Sequence, residues 1–264
     1  MAGKKVWVSW LPGKKCEAEL QSTVQSLQQV GLEVSGAPWE DDLEKCAWME
    51  LGDMLTAEDG PELFIIAGRA DDFAKQRFRY GLSLLSAFIL QHRPELKVFR
   101  QVIDGNVLQG LPSLLQDLSP LDASPGWNAK VVAAAYSAPS KTTAFDFHFS
   151  IIAHSAIGQW FEIGPKEGQA PWAGAMLGVS GNDAKIVFQA VGERGQLPDK
   201  AVNEYAMQGI KADIAEHEYE AWALKNSVTD GQSYYVKVQG FPSKIMFAEH
   251  PDNEESEVTV LTLS

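Results

Sequence analysis

Cysteine is scarce in this sequence: Cys16 and Cys46 are the two it has in 264 residues. That count excludes a disulfide framework, and neither residue has the paired spacing of a zinc site. Both read as reduced thiols within helical patterns of a cytoplasmic protein. Long apolar runs are absent as well. The longest, Leu82 to Leu90, is interrupted by two serines and falls well short of the ~18 residues needed to span a bilayer. The opening Met1-Ala2-Gly3-Lys4-Lys5 leads straight into a strand pattern with no apolar h-region, so no signal peptide is expected. Positive charge is in short supply: 22 Lys and Arg against 35 Asp and Glu give a net charge of −13. That balance argues against sequence-independent binding to nucleic acid or to an anionic membrane. Internal repeats and low-complexity segments are missing too.

The most informative stretch is Lys5-Val6-Trp7-Val8-Ser9-Trp10, a β-branched and aromatic run. A Pro12-Gly13 break follows, and then a helical pattern to about Val30. Strand then helix is half of a βα unit, and such units place ligands at the carboxyl ends of their strands. Further strands are predicted at Leu32–Ser35, Leu63–Gly68, Val98–Ile103 and Lys130–Tyr136. They are continuous apolar runs, as in a parallel sheet buried on both faces. Between them run helical rows: Leu20, Val24, Leu27 and Val30; Leu43, Ala47, Leu51 and Met54; and Phe73, Arg77, Gly81, Leu84 and Phe88. A shorter helix is predicted over Pro112–Leu118. The pattern predicts a doubly wound, five-stranded α/β domain over residues 1–138, with the flavodoxin-like order 2-1-3-4-5.

Ser137 to Thr143 reads as a linker, and beyond it the period changes. Over 144–264 the sequence predicts an antiparallel α+β domain. Its strands are Ala144–Ala153, Gln159–Gly164, Trp172–Val179, Lys185–Val191, Tyr234–Gln239, Lys244–Ala248 and Val258–Leu263. Gly181-Asn182-Asp183 is a hairpin signal. One long helix, about Lys200 to Lys225, is expected from the row Val202, Ala206, Ile210, Ile214, His217, Ala221 and Leu224, with His217 in the core.

Chemistry-bearing motifs are few. The first loop carries Gly13, Lys14 and Lys15 ahead of a helix, but not the spacing of a phosphate-binding P-loop, and no Gly-x-Gly-x-x-Gly occurs. It can still offer helix amides and two lysines to an anion. The ends of the first and third strands hold Ser9-Trp10 and Gly68-Arg69, not the acids a phosphoacceptor receiver needs. Flavin binding lacks its hydroxyl-rich phosphate loop. Seven basic residues between Arg69 and Arg100 face only three acids, which is either a solvated helix face or an anion-accepting one. In the second half Asp146, His148, Ser150 and His154 share one strand face. The two histidines stand about 20 Å apart at ~3.3 Å per residue, too far to share a metal, so a half-exposed strand face is expected.

The first 136 residues resemble a Toll/interleukin-1 receptor (TIR) domain. Val6-Trp7-Val8-Ser9-Trp10 is similar to that family's first strand, and Leu27-x-x-x-Gly31 running into Leu32-Glu33-Val34 to its first helix and second strand. Pro38-Trp39-Glu40-Asp41-Asp42-Leu43 lies at the place of its BB loop, and Leu63 to Gly68 at that of its third strand. The resemblance implies either NAD-consuming hydrolysis or assembly through domain contacts. Enzymatic members carry a glutamate on the helix after the third strand. The matching segment here, Asp72 to Arg93, contains none, and the family's Trp-Cys is also missing.

The reading is therefore a non-catalytic interaction or ligand-sensing module with an anion-accepting basic face. Its ligand-binding residues would be Ser9, Trp10, Lys14, Lys15, Arg69 and Asp104. The partner is expected to be a protein, a second copy, or a nucleotide or other anionic small molecule. No catalytic residue, metal ligand or cofactor is assigned. Two alternatives stay open: an N-glycosidic hydrolase of nucleotides or NAD in which Asp71 or Asp104 replaces the missing glutamate, and a structural assembly subunit.

Overall fold

The computed structural model describes residues 3–11, 17–104, 108–121, 124–139, 145–181, 183–249 and 257–264. The chain divides into two compact units, Met1–Leu43 with Ala47–Thr143, and Ala144–Ser264 with Glu44–Cys46. Elements of the first unit are β1 Lys5–Trp10, α1 Glu17–Gln29, β2 Glu33–Pro38, α2 Trp48–Thr56, β3 Leu63–Gly68 and α3 Ala70–Phe73. They continue with α4 Gln76–His92, β4 Lys97–Val102, α5 Ser113–Gln116, β5 Ser119–Leu121 and α6 Trp127–Tyr136. The strands are all parallel, in the order β2-β1-β3-β4-β5.

Alternation along the strands sorts the helices onto two faces. Val6, Val8, Leu63, Ile65, Ala67 and Phe99 pack with Leu20 and Leu27 of α1 and with Val131 and Ala135 of α6. The opposite face carries Phe64 and Ile66, fully buried, and the helix pair α2 and α4 belongs to that side. β3 is buried at all six positions, which is why its sequence is continuously apolar. α2 and α4 approach closely at Gly52, where a Cβ would stand 2.9 Å from the Phe88 ring.

Two sequence expectations change here. Lys130–Tyr136 is helix, not the fifth strand: an alanine-rich apolar run fits either state, and alanine propensity favours the helix. The fifth strand is Ser119-Pro120-Leu121, an edge position that tolerates proline. Cys46 is buried, in a turn with φ of 55° before α2, not inside a helix; Cys16 lies outside the described residues.

The basic run does something the sequence did not reveal. Arg79 donates to the Phe73 carbonyl at the end of α3 (2.6 Å) and to the carbonyls of Gln109 and Gly110. Arg93 donates to Leu55 O in the last turn of α2 (2.8 Å), and Lys97 to Ala134 O in the last turn of α6 (2.6 Å). Arg100 reaches Leu115 O in α5 (3.1 Å) and Leu118 O (2.7 Å). The last four carbonyls of a helix lack intrahelical partners and carry its negative pole, so a cation there satisfies both demands. These side chains are clamps on helix ends.

The second unit holds two antiparallel sheets. One is β6 His148–His154, β7 Gly158–Gly164, β12 Gln232–Gln239 and β9 Lys185–Glu193, in the order β6-β7-β12-β9. The other is β10 Met207–Ile214, β11 His217–Leu224, β8 Ala175–Ser180, β13 Lys244–Glu249 and β14 Thr259–Thr262, in the order β10-β11-β8-β13-β14. They pack face to face through Phe149 stacked on Phe247 (6.0 Å) and through the buried Tyr234 hydroxyl, which contacts Gln189 Oε1 (2.6 Å) and Trp222 O (3.1 Å).

No described residue of this unit is helical, so the expected long helix over Lys200–Lys225 is replaced by the β10–β11 hairpin. Ile210, Ala212 and Ile214 pair with Ala221, Tyr219 and His217, an alternation that overrides the weaker three-and-four spacing. His217 is exposed at the hairpin end, not in a core. The Gly181–Asp183 connection joins strands of different sheets and is not a hairpin. Replacing Arg100 with Met removes the donor to Leu115 and Leu118. It is expected to lower unfolding free energy by about 1–2 kcal/mol, read as a lower urea midpoint with unchanged slope.

Candidate functional site

The carboxyl ends of β1, β3 and β4 are the place to look in a parallel sheet. Arg69 follows β3 and Asp104 follows β4. The structure brings them together, with Arg69 Nη2 3.6 Å from Asp104 Oδ2. The Asp104 carboxylate also accepts the Ala70 N–H at 3.2 and 3.3 Å, and so sits on the first turn of α3. Asp72 accepts the Arg69 N–H (3.3 Å) and pairs with Lys75 Nζ (2.7 Å). Positive and negative groups here compensate one another, and the start of α3 is filled by its own acids.

Ser9 and Trp10 point to opposite faces of β1 and do not converge with that pair. Ser9 is 1 % exposed and its hydroxyl accepts the Trp7 indole N–H at 3.0 Å. Trp10 lines a groove of about 600 Å3 between α1 and β2, floored by Val8, Leu20, Val24 and Val34. Lys14 and Lys15 lie outside the described residues. Of the four expected binding residues that are described, then, Arg69 and Asp104 meet, and Ser9 and Trp10 do not join them. On the Ser9 face a second cavity of about 260 Å3 opens between the end of β1, the loop after β2, and α2.

A polar centre that sequence reasoning passed over lies in the second unit. Glu162 on β7 is wholly buried. One carboxylate oxygen accepts the Gly195 N–H (2.8 Å) and lies 3.0 Å from the Tyr235 hydroxyl. His148 Nε2 stands 3.2 Å from the same oxygen, off the axis of a hydrogen bond. Cross-strand register explains the cluster: Glu162 lies opposite Ser150 on β6 and Tyr235 on β12. Burial pushes the Glu162 carboxyl up, but His148, the Gly195 N–H and Ser233 outweigh it and hold the group below its ordinary value. Burial first, and Glu162 second, raise the Tyr235 phenol.

The expected half-exposed strand face is seen: Asp146 and His154 are exposed, His154 accepting the Ala156 N–H through Nδ1, whereas Ser150 is 2 % exposed and the half-buried His148 stands beside Glu162. The signal was a single acid in Trp160-Phe161-Glu162-Ile163, an otherwise apolar run. Among the described residues no three His, Cys, Asp or Glu side chains are placed to hold a metal.

No family model matches the chain, and no curated protein matches its sequence. Among solved structures it is similar to a two-domain esterase active on acetylated mannans, crystallised with mannopentaose. The identity is 10 % over 99 % of this chain and 90 % of that one, with a TM-score of 0.30. At that score the likeness bears on neither mechanism nor substrate.

Replacing Glu162 with Gln is expected to cost about 2 kcal/mol at neutral pH, because bonds to a charged acceptor weaken. A depressed carboxyl contributes stability that is full above its ordinary value of 4.5 and is lost as pH falls through its lower folded value. Urea midpoints taken from about pH 7 down to about pH 3 should thus fall less steeply for Glu162→Gln than for the parent.

Proposed function

We propose that the chain is a non-catalytic, ligand-sensing or interaction module whose first unit is a TIR-like α/β domain. The observation that carries this reading is the mutual neutralisation at the strand ends. A hydrolytic base needs a carboxylate aimed at open space, within hydrogen-bond reach of the proton it takes. Asp104 instead holds the start of α3 and pairs with Arg69, and Asp72 pairs with Lys75. The sequence of α4, from Gln76 to His92, has no glutamate to orient a ribose. The sheet order β2-β1-β3-β4-β5 agrees with the fold that the TIR resemblance implies, and the two cavities flanking β1 provide room for a ligand.

Binding without turnover is the consequence. An N-glycosidic hydrolase using Asp71 or Asp104 is the opposing reading, and alanine variants at these two positions separate them. Asp104→Ala should lower stability by about 1 kcal/mol, through loss of the interaction with the helix start. Neither the parent nor either variant should release nicotinamide from NAD. Nicotinamide release by the parent, abolished in an Asp71→Ala or Asp104→Ala protein that is still folded, would overturn the module reading. The check is chromatography of NAD incubations beside a urea melt.

A further inference from the structure

We infer that the open edge of β2 joins a second copy of this chain, the two β2 strands pairing antiparallel about a two-fold axis at Ser35. This rests on the module reading and names its partner and its surface. Among the described residues no strand lies on the far side of β2, and most of its residues are exposed. An edge strand presents unpaired N–H and C=O groups, and proteins guard such edges with shortness, charge or bulges. The other edge of this sheet, β5, is three residues long and has Lys130 on the Pro120 carbonyl. By contrast β2 has six residues in unbroken register with β1, and no charge from Val34 to Pro38.

Hydrogen-bond parity sets the register. Glu33 donates its N–H to Lys4 O and Trp39 to Trp10 O, so the odd-numbered residues of β2 turn their backbone groups to β1. Val34, Gly36 and Pro38 turn theirs outward. With Ser35 on the axis, Val34 of each copy meets Gly36 of the other, and each such pair exchanges two hydrogen bonds. Every outward N–H and C=O of Val34 and Gly36 is then satisfied. Pro38, which has no N–H to give, falls beyond the ladder opposite Leu32, whose own N–H is already donated to Leu27 O. An axis at Gly36 would instead set the proline ring against the Val34 carbonyl.

Charge and symmetry select the occupant. A chain of net charge −13 repels its own copies, so they meet best where acids are missing. The groove of about 600 Å3 beside this edge has no charged residue among its described lining, and α1 contributes the exposed Gln21, Gln25 and Gln28 to it. A two-fold contact must be self-complementary, and this one is: the acid of β2, Glu33, falls opposite Ala37, and no like charges face each other. The axis stands across the sheet, so both α1 helices lie on one face. The two grooves, each with Trp10 and Val24, then lie side by side and add apolar contact to the backbone bonds.

Sedimentation equilibrium of the full chain, from about 1 to about 200 μM in 0.15 M salt, should follow a monomer–dimer equilibrium with Kd at or below about 100 μM. Ser35 is exposed, so Ser35→Lys and Ser35→Glu should keep the fold, as circular dichroism would verify. Each variant alone sets like charges directly across the axis and should dimerise about fivefold more weakly. Mixed together, the two should pair with one another and recover the loss. A parent that stays monomeric throughout, variants that dimerise as well as the parent, or a mixture no tighter than its components would each overturn the proposal. NAD incubated with the parent keeps the two readings apart. Its breakdown would sink the module reading and leave the dimer standing, whereas a monomer that leaves NAD intact would sink the dimer alone.

Discussion

The first unit depends on cations that end its helices. Parallel α/β architecture brings helix after helix back across the sheet, and each return leaves carbonyls with no intrahelical partner. Arg79, Arg93, Lys97 and Arg100 meet those carbonyls on α3, α2, α6 and α5 in turn. Each comes from a part of the chain other than the helix it closes, so the same bonds tie the elements together. Burial lowers the Arg100 guanidinium from its ordinary value, yet arginine stays charged even so, which makes it suited to a half-enclosed position. An acidic protein with few basic residues uses them where the backbone most needs a donor.

Much of the first unit could be read from sequence because its rule is simple. Continuous apolar runs such as Leu63-Phe64-Ile65-Ile66 mean a strand covered on both faces, and the order β2-β1-β3-β4-β5 follows from few admissible windings. Lys130–Tyr136 resisted that rule, since Val-Val-Ala-Ala-Ala is apolar in either state and only its alanines point to a helix. In the second unit the difficulty was the turn. Ala215 and Glu216 both take positive φ, 50° and 64°, in the two-residue link between β10 and β11. Glycine and asparagine usually mark that link. Without them, the rows from Val202 to Leu224 fitted a helix as well as a hairpin.

Sites were less legible than elements because charge in a sequence does not state its partner. Arg69 and Asp104 were correctly placed at the strand ends, but their pairing with one another could not be seen from 35 residues apart. Seven cations in one stretch suggested a surface, whereas four of them, Arg79, Arg93, Lys97 and Arg100, serve carbonyls scattered over five segments, and Arg69 and Lys75 pair with acids. His148 was noticed without Glu162, because the two lie on different strands and only the β6–β7 register makes them neighbours.

Glu162 has a further consequence, for how the chain chooses among pairings. Side chains alternate along a strand, so a shift of β7 by a single residue would exchange its two faces. Phe161 and Ile163, which face the aromatic contacts of Phe149 and Phe247, would turn outward, and the carboxylate would enter the space between the sheets with no donor to meet it. Such an uncompensated charge costs several kcal/mol. Glu162 is therefore a checkpoint on strand alignment: the native pairing supplies Gly195 and Tyr235 to it, and the slipped one forfeits both. The residue thereby narrows the set of ways in which four strands can assemble.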